Sequence, residues 1–261
     1  MSQVLAAIGR DRMADAVLST ANAVAGLFAA QVKAVHVGAP DATLAAAARG
    51  AGVPLDYAQG EPATALAHAA AAADVAAIVI GARGEPAGDR LAGSTALSLI
   101  TLQRRPVVVV PPNAAPPGAI ESVLVPLDGT AASTTALQEV VELAHDSALQ
   151  IVVAHVRGPH ALPAFSDQLA HEVRAWREEF IARHCPGAID ATLEVRVGEP
   201  HERVLEVLRE TGCDLVALGW RQDLAGGRAA VVRRLLAQAP VPVLLTPVDA
   251  ARTAPAETAR R

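Results

Sequence analysis

Residues 75–95 read VAAIVIGARGEPAGDRLAGST, and this stretch decides the fold. It begins with an apolar run, Val75 to Ile80, passes through a glycine-bearing segment, and ends just before residues with apolar periodicity. An unbroken apolar run is typical of a strand that is buried on both faces of a parallel sheet. The stretch therefore predicts a buried strand, a loop and the start of a helix.

The loop within this stretch has the features of an anion site. We expect Gly81 and Gly84 to turn the backbone with positive φ and to let it approach a ligand closely. Gly93, Ser94 and Thr95 open the next helix with free N–H groups and hydroxyls, and a helix start attracts phosphates. The alternative is a solvated connection with an ordinary Ser or Thr cap.

The composition indicates a globular protein and limits how it can bind phosphate. The chain has 261 residues, is 52% hydrophobic and 19% charged, and carries a formal charge of −5, which fits one large or two ordinary domains. Lys33 is the only lysine, which excludes a phosphate loop ending in GK[ST] and leaves backbone N–H groups, hydroxyls and arginines. Nothing in this composition indicates a nucleic-acid surface. The aromatic fraction is 2%, so we expect a core of Ala, Val, Leu and Ile.

The cysteines and the apolar segments predict a cytoplasmic protein without a membrane segment. Cys185 and Cys213 lie far apart and form no CxxC pair, and no basic leader precedes the first apolar run. The alanine-rich segment Pro62 to Ala82 approaches the length of a membrane span. His68 and Asp74 within it favour a buried helix followed by a strand.

The chain repeats itself. The first apolar run, Val4 to Ile8, is matched by Val123 to Leu127, and each leads into a helical stretch, at Ala14 to Ala30 and at Thr134 to Ala144. The further matches are Val32 to Val37 with Ile151 to Val156, Gly60 to Pro62 with Gly198 to Pro200, Val75 to Ile80 with Leu215 to Leu218, Gly81 with Gly219, and Arg105 to Val110 with Val241 to Thr246. Two copies of one βαβαβαβαβ unit predict an α/β fold of two tandem, open, doubly wound parallel sheets of five strands, which is Rossmann-like.

A Pro-rich segment separates the copies and sets the predicted domain boundaries. We predict a first domain at residues 1–112, a linker at 113–119, a second domain at 120–248 and a disordered tail at 249–261. The final strands, Val107 to Val110 and Val243 to Thr246, would be exposed edges in isolated copies. We expect these edges to face each other within one chain, and a homodimer stays open as a further association.

Two other features are interpreted as structural. The second copy has an added helix-like stretch, Phe165 to His184, and we expect Trp176 and Phe180 on it to be packing residues. His36 and His155 recur at equivalent positions at the end of the second strand. Since no further ligand stands at metal-binding spacing beside either histidine, a structural role is favoured over a metal site.

Ligands of an open parallel sheet bind beyond the carboxyl ends of the strands, where the winding direction switches. Here the residues at those ends form a pattern: Asp128-Gly-Thr after a strand, His-Val at the end of the second strand, G-E-P before the third helix, and Gly81-x-x-Gly84 followed by Gly93-Ser94. This pattern resembles the universal stress protein family in its tandem form, over nearly the whole of both copies. The resemblance implies an adenine-nucleotide alpha-hydrolase-like fold and binding of an adenine nucleotide, ATP with or without Mg²⁺.

In ATP-binding members of that family, the matching loop wraps the triphosphate and ribose, and the first-strand Asp and the end of the second strand hold the nucleoside. The first copy keeps the loop, but Gly9 stands where the Asp belongs, and Asp11 is expected to cap the following helix. The implied nucleotide-binding residues of the first copy are Gly9, Val37, Gly81, Arg83, Gly84, Gly93, Ser94 and Thr95.

The second copy departs from the pattern in the opposite way. It keeps Asp128, but Gln222 replaces the second glycine, and Ala229 and Ala230 stand where Gly-Ser is expected. A side chain at a backbone-approach position fills the volume that a phosphate needs, whereas a missing carboxylate removes one hydrogen-bond partner. We therefore expect the first copy to be the better ATP site. The weaker second site would consist of Pro126, Asp128, Val156 and Gly219. Asp128 could instead cap a helix. Phosphate could also be bound in this half by a different set of residues: Arg221, Gly226, Gly227 and Arg228.

The chain contains no GxSxG, HExxH or paired-carboxylate pattern, and its lone cysteines lack an activating partner. We therefore expect binding rather than catalysis. The leading hypothesis is a stress-response regulatory module that binds ATP mainly in the first domain. The alternatives are a scaffold that works through protein partners without nucleotide, and an enzyme of the wider adenine-nucleotide hydrolase type, which would need an SGGxD-like loop that this chain lacks.

Overall fold

The computed structural model describes residues 1–82, 93–128, 131–145, 149–158, 178–184, 191–222 and 229–248. Strands and helices alternate through both halves. The first half contains β1 (Gln3–Ala7), α1 (Ala14–Leu27), β2 (Gln31–Val37), α2 (Ala42–Gly50), β3 (Leu55–Ala58), α3 (Pro62–Ala70), β4 (Val75–Gly81), α4 (Ser94–Leu102) and β5 (Val107–Val110). The second half contains β6 (Ser122–Leu127), α5 (Ala131–His145), β7 (Gln150–Arg157), β8 (Thr192–Val197), α6 (Pro200–Thr211), β9 (Leu215–Trp220), α7 (Ala229–Gln238) and β10 (Val243–Pro247). Residues 178–184 are helical as well.

The ten strands of the described residues form one sheet, in the order β3-β2-β1-β4-β5-β10-β9-β6-β7-β8. Neighbouring strands are parallel within each half, so each half has the doubly wound order 3-2-1-4-5, and the predicted fold class is confirmed. The final strands of the halves lie side by side and run antiparallel, with Val109 opposite Val243 and Val107 opposite Leu245.

The core consists of two aliphatic layers, one on each face of the sheet. The helices α1, α2 and α5 and residues 178–184 cover one face, and α3, α4, α6 and α7 cover the other. Along β5, Val107 and Val109 contribute to one layer while Val108 and Val110 contribute to the other, as the two-residue period of a strand requires. The largest fully buried side chains are leucines and isoleucines, as the low aromatic content predicts.

The alanine-rich segment is a helix followed by a strand, as predicted: α3 and then β4. Among the residues that the structure describes, no helix has the length and apolarity needed to cross a membrane. Phe180 is buried, in agreement with its predicted packing role, and Trp176 lies outside the described residues. The predicted domain boundaries stay predictions, and the tail at 249–261 also lies outside the described residues.

Candidate functional site

The register of the first half brings three of the expected site residues to one edge of the sheet. Ala7 of β1 pairs with Val35 of β2 and with Ile80 of β4. Two residues further along the chain, the strand ends therefore place Gly9 beside Val37, with Gly81 at the end of β4 on the other side. Arg83 and Gly84 lie outside the described residues.

Gly81 does not have the backbone conformation that we expected. It is the last residue of β4, pairs with Val110, and is not among the glycines with positive φ. A Cβ at this position would lie 3.1 Å from the Cβ of Met13, at the start of α1. The expectation of a positive φ at Gly81 is therefore wrong. The missing side chain makes room for α1 to pack on β4, because Met13 occupies the space next to it.

The start of α4 presents backbone donors at this edge. Gly93 is the N-cap residue, no side chain caps the helix, and the Gly93 N–H donates to the carbonyl oxygen of Ala82 at 2.7 Å. Within the described part of the chain, the N–H groups of Ser94, Thr95 and Ala96 have no acceptor. The first turn of a helix carries a partial positive charge from such groups, so this end of α4 can accept an anion.

Asp11 occupies space beside Gly9. Its Oδ1 accepts a hydrogen bond from the N–H of Met13 at 2.9 Å, so it stabilises the turn into α1 at the residue just before the helix. A Cβ at Gly9 would lie 3.2 Å from Oδ2 of Asp11. The carboxylate of Asp11 therefore stands next to the position where the family resemblance expects the carboxylate of the first strand.

Each half uses a histidine to join its first two strands. Nδ1 of His36 lies 2.9 Å from the carbonyl oxygen of Ile8, and Nδ1 of His155 lies 2.8 Å from that of Leu127. Since a carbonyl oxygen only accepts, Nδ1 carries the proton in both rings. These hydrogen bonds give both histidines the structural role predicted for them at the end of the second strand. Among the described residues, no group of three or more His, Cys, Asp and Glu could hold a metal ion.

An ion pair spans the loops above β1 and β2. Nε of Arg10 lies 3.0 Å from Oδ2 of Asp41, whose Oδ1 caps α2 by accepting from the N–H groups of Thr43 and Leu44. The hydrogen bond from Leu44 is the main cause that lowers the pKa of Asp41, and the bond from Thr43 and the charge of Arg10 act in the same direction. The sequence analysis missed this pair, which fixes Arg10 immediately after Gly9.

The second half builds a different edge. Leu127 pairs with His155, which places Asp128 beside Val156. Oδ1 of Asp128 accepts a hydrogen bond from Oγ of Ser133 at 2.8 Å, which joins this carboxylate to the first turn of α5. The ring of Phe180 lies 4.6 Å from the ring of His155 and packs against it.

The two strands on either side of the switch point, β1 and β4 in the first half and β6 and β9 in the second, pair over different lengths. The ladder between β1 and β4 joins five residue pairs, whereas the ladder between β6 and β9 joins only Val123 with Leu215 and Leu124 with Val216. Pro126 explains part of this difference, because proline has no N–H to donate to a neighbouring strand.

The last residue of β9 and the start of the following loop contact the first half of the chain. Trp220 is buried, and its Nε1 donates to the carbonyl oxygen of Ile100 at 2.9 Å. Gln222 has a positive φ of 62°, and its Nε2 donates to the carbonyl oxygen of Gln103 at 2.5 Å. Gly226, Gly227 and Arg228, the alternative anion grip, lie outside the described residues. The sequence carried one signal of this contact, a tryptophan directly after Gly219 in a chain with only 2 tryptophans.

The comparison with protein families identifies both halves. The model of the universal stress protein family matches residues 10–111 and again residues 119–247. The chain belongs to the universal stress protein family. The two matches reproduce the duplication that the sequence repeats predicted, and the predicted tandem form is confirmed.

Solved universal stress proteins that match over both halves of the chain have the same fold. One from Archaeoglobus fulgidus is 16% identical, with 93% of this chain and 97% of that chain covered and a TM-score of 0.64. A universal stress protein in complex with cAMP is 23% identical, with 50% of this chain and 98% of that chain covered and a TM-score of 0.37. An Arabidopsis thaliana family protein with AMP bound is 16% identical, with 52% and 97% covered and a TM-score of 0.38. No curated protein matches the chain by sequence.

Proposed function

We propose that this universal stress protein binds an adenine nucleotide, ATP in particular, at the carboxyl edge of its first half, and acts as a regulatory module that responds to the nucleotide. The observation that carries the proposal is the uncapped first turn of α4 at the switch point between β1 and β4. Ser94 is exposed there, so its hydroxyl and its N–H are accessible to a phosphate. Membership of the family supports the choice of ligand, because Gly93 and Ser94 at this helix start belong to the motif that resembles the ATP-binding members of the family.

The second half is proposed to bind nucleotide weakly or not at all. Gln222 stands at the position of the second glycine, and its side-chain amide donates to the carbonyl oxygen of Gln103 in the first half. A phosphate would therefore meet a side chain at this position and not the bare backbone of a glycine. Asp128, which this half keeps from the family pattern, is hydrogen-bonded to Ser133. We also propose that the protein binds without catalysing a reaction and works in the cytoplasm, as its two distant cysteines indicate.

A scaffold that works through protein partners without nucleotide remains the second candidate. Two contacts favour it: Met13 fills the space beside Gly81, and Asp11 fills the space beside Gly9. Both contacts lie where the ligand would otherwise approach bare main chain.

The test is a titration of the purified full chain, stripped of co-purified nucleotide, with ATP and Mg²⁺ in a calorimeter. We expect binding of one ATP per chain. Ser94→Asp places a negative charge at the helix start and should weaken binding at least tenfold, because the carboxylate repels the phosphates and competes for the same N–H groups. Ser94→Asn is the matched neutral control and should change the affinity far less. Absence of binding at high micromolar ATP would favour the scaffold.

A further inference from the structure

The carboxyl end of α4 is held by the second half of the chain. The two acceptors are the carbonyl oxygens of Ile100, in the last turn, and Gln103, the C-cap residue. The donors are the indole of Trp220 and the side-chain amide of Gln222. Both donors follow Gly219, which matches Gly81: Trp220 is the last residue of β9, and Gln222 lies two residues beyond it.

These contacts satisfy groups that the helix itself leaves open. The last four carbonyl groups of an α-helix have no partner within the helix. In α4 the carbonyl of Leu99 accepts from the N–H of Gln103, and the carbonyl of Ile100 accepts from Trp220. The indole N–H of Trp220 is itself buried and needs an acceptor, so the contact is required from both sides.

The backbone of Gln222 has an uncommon conformation at this contact. Its φ of 62° lies in the left-handed region, which glycine adopts freely and glutamine rarely does. Such a conformation persists where the surroundings fix it. Gln222 makes one such contact, the hydrogen bond from its Nε2 to the carbonyl of Gln103. Gln103 is in turn buried and donates to the carbonyl of Ala67 in α3, so the anchor extends into the layer of helices.

The other end of α4 carries the proposed anion site. The helix has nine residues, about 13 Å of rise, and Ala96, Leu99 and Ile100 pack on the sheet. A short, packed helix moves as one body. Its direction, and with it the position of the Ser94 and Thr95 N–H groups, therefore depends on the contacts that hold its carboxyl end as well as on this packing.

We infer that Trp220 and Gln222 are positioning residues for the nucleotide site of the first half, acting through α4 without touching the ligand. The inference rests on the proposed function. It also assigns a role to a residue that departs from the family pattern. Gln222 replaces a glycine of the phosphate motif in the second half, and it holds α4, whose start is the proposed phosphate site of the first half.

The experiment compares two variants with a matched control. Gln222→Gly restores the glycine expected at this position and relieves the left-handed backbone, and Trp220→Phe keeps the packing but removes the N–H. Ser122→Ala removes a hydrogen bond of similar length, 2.9 Å to Asp214, elsewhere in the second half. We expect the Kd for ATP to rise roughly 3- to 30-fold in both variants and to stay unchanged in the control.

Amide hydrogen exchange of α4 without nucleotide provides the second readout. Both variants should exchange faster than the wild type from Ser94 to Leu102, and the control should not. Unchanged ATP affinity in both variants, with the wild type binding, would overturn the inference alone. A wild type that binds no adenine nucleotide would overturn the proposed function and the inference with it, while the exchange data would still report whether the anchor holds α4.

Discussion

At the scale of single residues, Gly81 shows that a glycine in a loop signature can be needed for packing. Its backbone is extended, so alanine would not be strained by φ, but the added methyl would meet Met13 at 3.1 Å. The Cβ of Met13 is fixed to the backbone and cannot move aside. We expect Gly81→Ala to lower the free energy of unfolding by about 1–3 kcal/mol, measured by urea denaturation.

Gly26 in α1 is the matched control. A Cβ there meets nothing within 4 Å, so Gly26→Ala should raise the free energy of unfolding by about 0.5–1 kcal/mol through helix propensity. If Gly81→Ala is as stable as the wild type, then α1 can shift away from β4, and the packing explanation is wrong.

His155 makes the stability of the second half depend on pH. Burial lowers the pKa of its imidazole, and the charges of Arg157 and His184 lower it further, against the opposing effects of Leu127 and Asp128. As the pH falls from about 7 to 5, the unfolded chain takes up a proton that the folded chain resists, so the free energy of unfolding decreases.

We expect His155→Gln to flatten this decrease, because glutamine does not titrate. Urea midpoints of the wild type and the variant, measured across this pH range, check the prediction. An equal slope in both proteins would show that other groups cause the acid sensitivity.

At the scale of the elements, α3 and α6 begin with the same Gly-Glu-Pro sequence but are capped differently. Glu61 accepts from the N–H groups of Ala63 and Thr64, whereas Glu199 makes no cap hydrogen bond. Glu199→Asp shortens the side chain to the length that caps α2 through Asp41. This change should raise the free energy of unfolding by about 0.5–1 kcal/mol, measured by urea denaturation.

Glu61→Gln is the complementary change, since it weakens an existing cap. It should lower the urea midpoint, because the N–H groups at the start of α3 then bond to a neutral acceptor. Equal midpoints for Glu199→Asp and the wild type would mean that water already satisfies the start of α6.

The sequence predicted five strands in each half but located only those that are buried on both faces. The repeated Val, Ile and Leu runs located eight strands and the duplication, because burial on both faces leaves an unbroken apolar pattern. The outer strands β3 and β8 are partly exposed and mixed in composition, so no run delimits them. The contact of Gly81 with Met13 and the contact of Gln222 with α4 join residues far apart in the chain, and no local pattern predicts such pairs.

At the scale of the whole molecule, the two halves form one continuous sheet and are also joined by side-chain hydrogen bonds. The β5–β10 ladder and the hydrogen bonds from Trp220 and Gln222 to α4 join them. We therefore expect one cooperative unfolding transition. In a Trp176→Phe background, tryptophan emission reports on Trp220 alone, and its urea transition should coincide with the loss of helical circular dichroism. A fluorescence transition that precedes the loss of helix would show that the halves separate before they unfold.

Because β5 and β10 pair antiparallel, the strands of the second half run in the opposite direction to those of the first half. The strands of the two halves therefore finish at opposite rims of the sheet, and the duplication has produced a molecule with two poles. α4 runs between them, since its first N–H groups stand at one pole and its last carbonyls meet Trp220 at the other. A second molecule that binds at the pole near Trp220 would leave the start of α4 uncovered, so such a partner would not compete with a nucleotide for the proposed site.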